Sequence, residues 1–155
     1  MPILKITEKR DCMKFIAKTF DALSTKELYE ILKSRMEIFM LEQEIHCLDM
    51  DNVDYESLHC FLWDGERVCA YLRAYEIGEG TVKLGRVLSL RHGEGFGRTL
   101  MENAIPTIKE HFSCQKLWVD SQCHASGFYA KLNFSVVTEE FLEEGIPHVG
   151  MERSV

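Results

Sequence analysis

Residues 91–98 read Arg-His-Gly-Glu-Gly-Phe-Gly-Arg, between an apolar run over 82–90 and a helical pattern that starts at Phe96. A strand, a glycine turn and a helix start in direct succession leave the chain few folds to choose from. Glycines at alternate positions keep the turn bare of side chains. Backbone N–H groups can then point into it, and the helix behind adds the positive end of its dipole. Such a turn suits a phosphate or pyrophosphate. Two familiar phosphate loops do not match. A Walker loop ends in Gly-Lys-Ser/Thr, whereas Gly97 is followed by Arg98 and Thr99. A dinucleotide fingerprint spaces its glycines as Gly-x-Gly-x-x-Gly early in a repeating βαβ pattern. Here the spacing is Gly93-x-Gly95-x-Gly97, past mid-chain, with no acidic residue ending a suitable next strand. The glycines alone leave open a plain surface turn with no ligand.

The chain has 155 residues, enough for one domain with a sizeable core. Its net charge of −7 argues against a nucleic-acid partner and an anionic membrane surface, and favours a cationic second substrate such as an amine. No apolar stretch approaches the ~20 residues of a membrane span, and residues 1–11 lack a signal-peptide core. The cysteines are Cys12, Cys47, Cys60, Cys69, Cys114 and Cys123, with no C-x-x-C pair and so no zinc spacing. They read as buried, reduced thiols of a cytoplasmic protein, Cys123 lying beside the candidate site.

Residues 1–12 read as a short extension and 13–155 as one domain. Residues 15–23 alternate loosely as a first strand. Ser24-Thr25-Lys26-Glu27 is a capping box, and Leu28, Ile31, Leu32, Met36 and Phe39 mark the face of the helix it opens. Arg35 falls one turn before Phe39, near that stripe. Residues 42–54 show no period and read as a solvated acidic loop. A calcium loop would need a Gly and a closing Glu that are missing, although these carboxylates could receive a cationic substrate. Strand-like residues 59–63 and 67–75 flank the hairpin signal Asp64-Gly65. Val82, Leu84, Leu88 and Leu90 share the parity of a third strand. Residues 96–112 are helical along Leu100, Ala104, Ile108 and Phe112, with Pro106 expected to kink or break the helix. Then follow a strand at 117–121, a short helix at 125–132 with Asn133 as left-handed cap, and short strands at 134–137 and 147–151. Hairpins first and strand–helix–strand later predict a mixed α/β sheet with helices on its faces.

This order of motifs resembles the GNAT superfamily of N-acetyltransferases. The resemblance rests on the glycine turn and on Phe128-Tyr129-Ala130-Lys131-Leu132-Asn133-Phe134. Finer features resemble its ElaA-like branch: Leu32-Lys33-Ser34-Arg35 with Phe39 and Glu42-Gln43, Asp49-x-Asp51, Gly85-Arg86-Val87, Gln122-x-His124 and Glu144-Gly145-Ile146-Pro147-His148. The chain departs from the family at His92, where the turn usually opens with Arg or Gln, and at Asn133, where Gly is usual. The link from Val87 to His92 is also about two residues shorter than the family's.

The resemblance implies a mostly antiparallel sheet, splayed between strands ending near Ser89 and Ser121. It implies acetyl-CoA as co-substrate, with its pantetheine arm along Leu88, Ser89 and Leu90. The pyrophosphate would sit on Gly93, Gly95, Phe96, Gly97 and Arg98, with His92 and Phe128 close by. Tyr129 takes the place of the family's general acid, and a strand N–H near Leu88 or Ser89 would polarise the acetyl carbonyl. An amine attacking a thioester must be neutral, so a base is needed as well. Glu42, His124 and His148 are the candidates. Arg35, Glu42, Gln122 and Glu144 are candidate acceptor contacts, and Arg86, inside an apolar strand, calls for a carboxylate partner. The expected function is acyl transfer from acetyl-CoA to a small-molecule or peptide amine, without a metal and with a homodimer expected by family analogy. A non-catalytic acyl-CoA-binding module on the same fold is the alternative.

Overall fold

The computed structural model describes residues 13–155, so the expected extension over 1–12, and Cys12 with it, lies outside the described residues. Strands β1 (Lys14–Thr19), β2 (Leu58–Trp63), β3 (Val68–Gly78), β4 (Thr81–Ser89), β5 (Lys116–Gln122), β6 (Ser135–Val136), β7 (Phe141–Glu143) and β8 (Ile146–Ser154) form one sheet. Its order is β1-β2-β3-β4-β5-β8-β6, with β7 also paired to β8. The β4–β5 pair is parallel and the others are antiparallel. Helices are α1 (Thr25–Arg35), α2 (Phe96–Phe112) and α3 (Ser126–Ala130).

Alternate residues of the central strands feed two cores, as the pleat requires. Leu58, Cys60 and Leu62 of β2, with Ala70, Leu72 and Ala74 of β3, meet Leu100, Met101, Ala104, Ile105 and Ile108 of α2. Phe61 and Tyr71 point the other way and meet Ile31 and Ile38 beyond the opposite face, joined by Val68, which a register shift opposite Leu62 and Trp63 turns to that side. Burying one such Leu or Ile stabilises the fold by about 1.5–3 kcal/mol. The expected mixed sheet with helices on both faces is present.

Three local expectations need correction. The first strand stops at Thr19, because Phe20–Ala22 turns into a 3-10 segment that sets the Phe20 ring edge-on to Tyr55, 4.9 Å away. The face of α1 is rotated from the apolar stripe: Glu27, Ile31, Ser34 and Arg35 are buried while Met36 is 49% exposed. Arg35 can face inward because carboxylates from residues 49–54 meet it there, and the chain continues as a π-helical turn over Met36–Glu42. Pro106 neither breaks nor ends α2. It is exposed, and so is Glu102, whose carbonyl loses a helical N–H partner but faces water. The capping box is formed: Ser24 Oγ accepts from the Glu27 N–H at 3.1 Å and Glu27 Oε1 from the Ser24 N–H at 2.8 Å. Cys60, Cys69 and Cys114 are buried as expected, but Cys47 is exposed.

Gly150 of β8 permits a close crossing. A Cβ there would lie 2.5 Å from Trp118 Cζ2 and 2.6 Å from Thr138 Cγ2. Gly150→Ala is therefore expected to destabilise the protein by about 1–3 kcal/mol, the usual range for overpacking. Urea unfolding measures it, and a loss below ~0.5 kcal/mol would show that the strands move apart freely.

Candidate active site

Strands β4 and β5 pair only from Thr81↔Lys116 to Leu84↔Val119. Beyond that point β4 stays with β3 as far as Ser89↔Ala70, and β5 stays with β8 as far as Gln122↔His148. The sheet therefore opens into a V, in the place where the sequence puts the splay. A bulge helps to aim β4: Arg73 pairs with Gly85 and Tyr71 with Leu88, so Arg86 and Val87 together oppose Leu72. Arg86 takes φ +52° to do this. The V opens on a cavity of about 670 Å³ whose walls come from β4, β5, the first turn of α2, α3, residues 43–51 and the β7–β8 hairpin.

At one end stands the glycine turn. Gly93 and Gly95 have φ +81° and +77°, and a Cβ on either would meet nothing within 4 Å. Gly95 is the N-cap of α2 and offers no side-chain cap. The first N–H groups of the helix are thus left for a ligand. Phe128 packs against Gly97, where a Cβ would lie 3.5 Å from its ring. These residues fit a pyrophosphate. Side chains close the rim: Arg98 Nε donates to Glu102 at 2.8 Å, Arg91 lies 6.0 Å over the buried Phe96 ring, and His92 Nε2 is 2.6 Å from Glu42 Oε1.

Along β4 the Leu90 N–H donates to the Cys69 carbonyl at 2.9 Å. Leu88 and Leu90 therefore direct their backbone groups toward β3, and by strand alternation Ser89 directs its N–H and carbonyl into the gap. Of the three residues expected along the pantetheine arm, Ser89 is the one whose backbone is free to pair.

Tyr129 and His148 open on the same cavity. Tyr129 is 6% exposed, wedged edge-on between Phe128 and Phe134 at 5.2 and 5.7 Å. No described residue hydrogen-bonds its hydroxyl, and burial pushes its pKa well above the usual tyrosine range. His148 is 7% exposed, held in β8 opposite Phe141, whose ring stacks on it at 5.9 Å. Its Nδ1 lies 2.7 Å from the Ile146 carbonyl, which fixes the proton on Nδ1 and leaves the Nε2 lone pair toward the cavity. Glu143 Oε2 is 3.6 Å from that Nε2.

The other candidates are distributed unevenly. Gln122 lines the cavity and donates from Nε2 to Gln43 Oε1 at 3.1 Å, tying the end of β5 to the segment after α1. His124 stands exposed at the mouth, and Glu144 sits in the two-residue β7–β8 turn at φ +49°. Glu42 reaches the glycine turn through His92 rather than His148. Arg35 is not placed for an acceptor. It is 1% exposed, Nε donates to Asp49 Oδ2 at 2.9 Å, one terminal nitrogen to Asp54 at 2.7 Å and the other to the Asp49 carbonyl at 3.0 Å.

Arg35 belongs to a network of which the sequence revealed one link, the carboxylate partner expected for Arg86. Arg73 donates to both oxygens of Asp51 at 2.7 Å and to Asp54 at 3.1 Å, and Arg86 Nε donates to Asp49 at 2.8 Å. These pairs pin residues 49–54 against β3 and the β4 bulge, so the expected solvated loop is in fact a wall of the cavity. The hydrogen bond from Arg73 draws the Asp51 pKa down to about 2. Burial works against the Asp54 charge, but Arg35 and Arg73 together hold its pKa below the usual range. Lys83, 2.6 Å from Asp120, also lines the cavity and was missed. Its parity, opposite to Val82 and Leu84, was the available signal.

The chain belongs to the GNAT acetyltransferase family: residues 17–155 match the family described as "Acetyltransferase (GNAT) domain". It is 34% identical to Protein ElaA of Escherichia coli over 140 residues, 86% of this chain and 91% of that one. Among solved structures, an acyl-CoA N-acyltransferase from Pseudomonas aeruginosa superposes with a TM-score of 0.84 at 33% identity, covering 91% of this chain and 99% of that one. The Escherichia coli ElaA structure also gives 0.84, at 29% identity and the same coverages. The protein is thus an acetyltransferase by family, with ElaA among its relatives.

Proposed function

We propose that the protein moves an acetyl group from acetyl-CoA to a primary amine by direct attack within a ternary complex. One observation carries the reading: a tyrosine hydroxyl without a partner among the described residues and the lone-pair nitrogen of an imidazole open on the same gap between β4 and β5. The uncapped first turn of α2 lies along that gap, and the similar Pseudomonas aeruginosa structure is an acyl-CoA N-acyltransferase. Acetyl-CoA supplies the acetyl group as an activated thioester. The amides of Gly93 to Arg98 hold its pyrophosphate, and the Ser89 backbone pairs with its arm. His148 Nε2 takes a proton from the incoming ammonium, directly or through a water, and Glu143 stabilises the resulting imidazolium. The gap-facing N–H of β4 polarises the acetyl carbonyl. Tyr129, kept protonated by burial, gives its proton to the departing sulfur as the new N–C bond replaces the C–S bond, and the second proton that the attacking nitrogen sheds on becoming an amide returns Tyr129 to the phenol.

The test is calorimetric titration of acetyl-CoA, with CoA lacking its 3′-phosphate as control, followed by CoA release over a panel of amines. Saturable binding with acceptor-dependent release is expected. Binding without release for any amine would leave a non-catalytic acyl-CoA-binding module. No binding at millimolar cofactor by folded protein would remove both readings. His148→Gln is expected to lower kcat/KM about a hundredfold, the size of a general-base contribution. A loss under ~threefold would move that role to another group.

A further inference from the structure

The charge balance of the acceptor half of the cavity is uneven. Each cation that lines it already has a carboxylate: Arg73 has Asp51 at 2.7 Å, Arg86 has Asp49 at 2.8 Å, and Lys83 has Asp120 at 2.6 Å. Arg35 and Asp54, behind this layer, pair with each other at 2.7 Å. Glu143 and Glu144, both lining residues at the tip of the β7–β8 hairpin, have no Lys or Arg partner within 4.0 Å among the described residues. No cation of this wall is spare for a carboxylate on the acceptor. Two polar side chains more than nine-tenths buried line the same space with no hydrogen bond from the described residues at the atom concerned: Tyr129 at its hydroxyl and His148 at Nε2. They mark a place built for a ligand, and the hairpin carboxylates mark its charge.

We propose that the acceptor is an amine carrying at least one further positive charge and no carboxylate, such as a diamine, drawn in by Glu143 and Glu144 while its reacting nitrogen faces His148. This deepens the proposed function and rests on it. Glu143 Oε2, 3.6 Å from His148 Nε2, is close enough for one ammonium to touch both. That nitrogen becomes neutral on acetylation and stops compensating the carboxylate. A second ammonium keeps its charge throughout, so it anchors substrate on the hairpin during the reaction. An amino acid would instead bring its own carboxylate against Glu143 and Glu144, with like charges opposed.

The experiment compares cadaverine, pentylamine and 6-aminohexanoate, chains of similar length that end in an ammonium, a methyl group and a carboxylate. Binding to the CoA-saturated protein is followed by calorimetry at low, fixed ionic strength, because salt screens such contacts. Cadaverine is expected to bind about five- to tenfold more tightly than pentylamine, with 6-aminohexanoate weakest. In the double variant Glu143→Gln, Glu144→Gln the advantage of cadaverine over pentylamine is expected to shrink to about twofold or less. Equal binding of all three, preference for pentylamine or the acid, no cadaverine binding at about 10 mM, or an unchanged preference in the variant would each overturn the proposal. CoA release from acetyl-CoA is measured in parallel. Release with the order reversed sinks this inference alone. The expected binding order without release sinks the transfer reading and keeps the cationic site.

Discussion

Tyr129→Phe is expected to lower kcat by about a hundredfold while acetyl-CoA affinity stays within about twofold. The asymmetry follows from where the hydroxyl lies. The ring fills a pocket between Phe128 and Phe134, and phenylalanine fills it equally well. The oxygen has no hydrogen-bond partner among the described residues, so its removal orphans nothing and the fold is kept. The contacts proposed for the cofactor sit elsewhere, on the amides of the glycine turn and on Ser89. Only the proton proposed for the leaving sulfur would be lost. Burial raises the Tyr129 pKa, so the group stays protonated as pH climbs through the ordinary tyrosine range. Turnover of the wild-type enzyme should therefore show no fall there attributable to this group. Steady-state rates and calorimetry on both proteins decide the matter. An unchanged kcat would leave Tyr129 a packed aromatic, and equal losses of rate and affinity would mean a distorted site.

The fold was largely legible because its signals are local. The helix read over 96–112 is the observed α2, and Asp64-Gly65 joins the two strands it was read to join. Asn133 takes the left-handed φ of +66° assigned to it. The strand expected over 147–151 lies within β8, but β7 was missed and the hairpin with it, since a three-residue strand is too short for a period to emerge. The hairpin's turn residues, Glu144 and Gly145, both have positive φ, and Glu-Gly is a weaker hairpin signal than Asn-Gly or Asp-Gly. The charged layer, apart from the need of Arg86 for a carboxylate, was illegible for another reason. Asp49, Asp51 and Asp54 are paired with arginines 14 to 37 positions away in sequence, and no periodicity reports a contact over that distance. A run of acids looks solvated until the fold brings its cations.

That layer carries the largest expected effect on stability. Arg35→Met is expected to lower the free energy of unfolding by about 3–5 kcal/mol at neutral pH, the usual range when one partner of a buried pair is removed. Methionine replaces much of the volume but none of the donors. Asp54, 8% exposed, keeps only Arg73 against its desolvation, and Asp49 keeps only Arg86. In the wild type Asp51 and Asp54 have folded-state pKa values depressed below the unfolded ~3.9, Asp51 being drawn to about 2. Their contribution is therefore fully present above pH ~4 and is lost as pH falls toward ~2. The variant has less of it to lose, so the two proteins should converge in stability as the solution is acidified through that window. Urea unfolding at pH 7 and at pH 3 measures both effects. A deficit below ~1 kcal/mol at pH 7, or a gap that widens in acid, would mean that Arg35 is not what makes the buried aspartates tolerable. Because the same pairs hold residues 49–54 against the β4 bulge, the variant is expected to lose more affinity for the proposed amine acceptor than for acetyl-CoA, whose proposed contacts on α2 lie outside the network. That difference separates loss of the acceptor wall from general loosening of the fold.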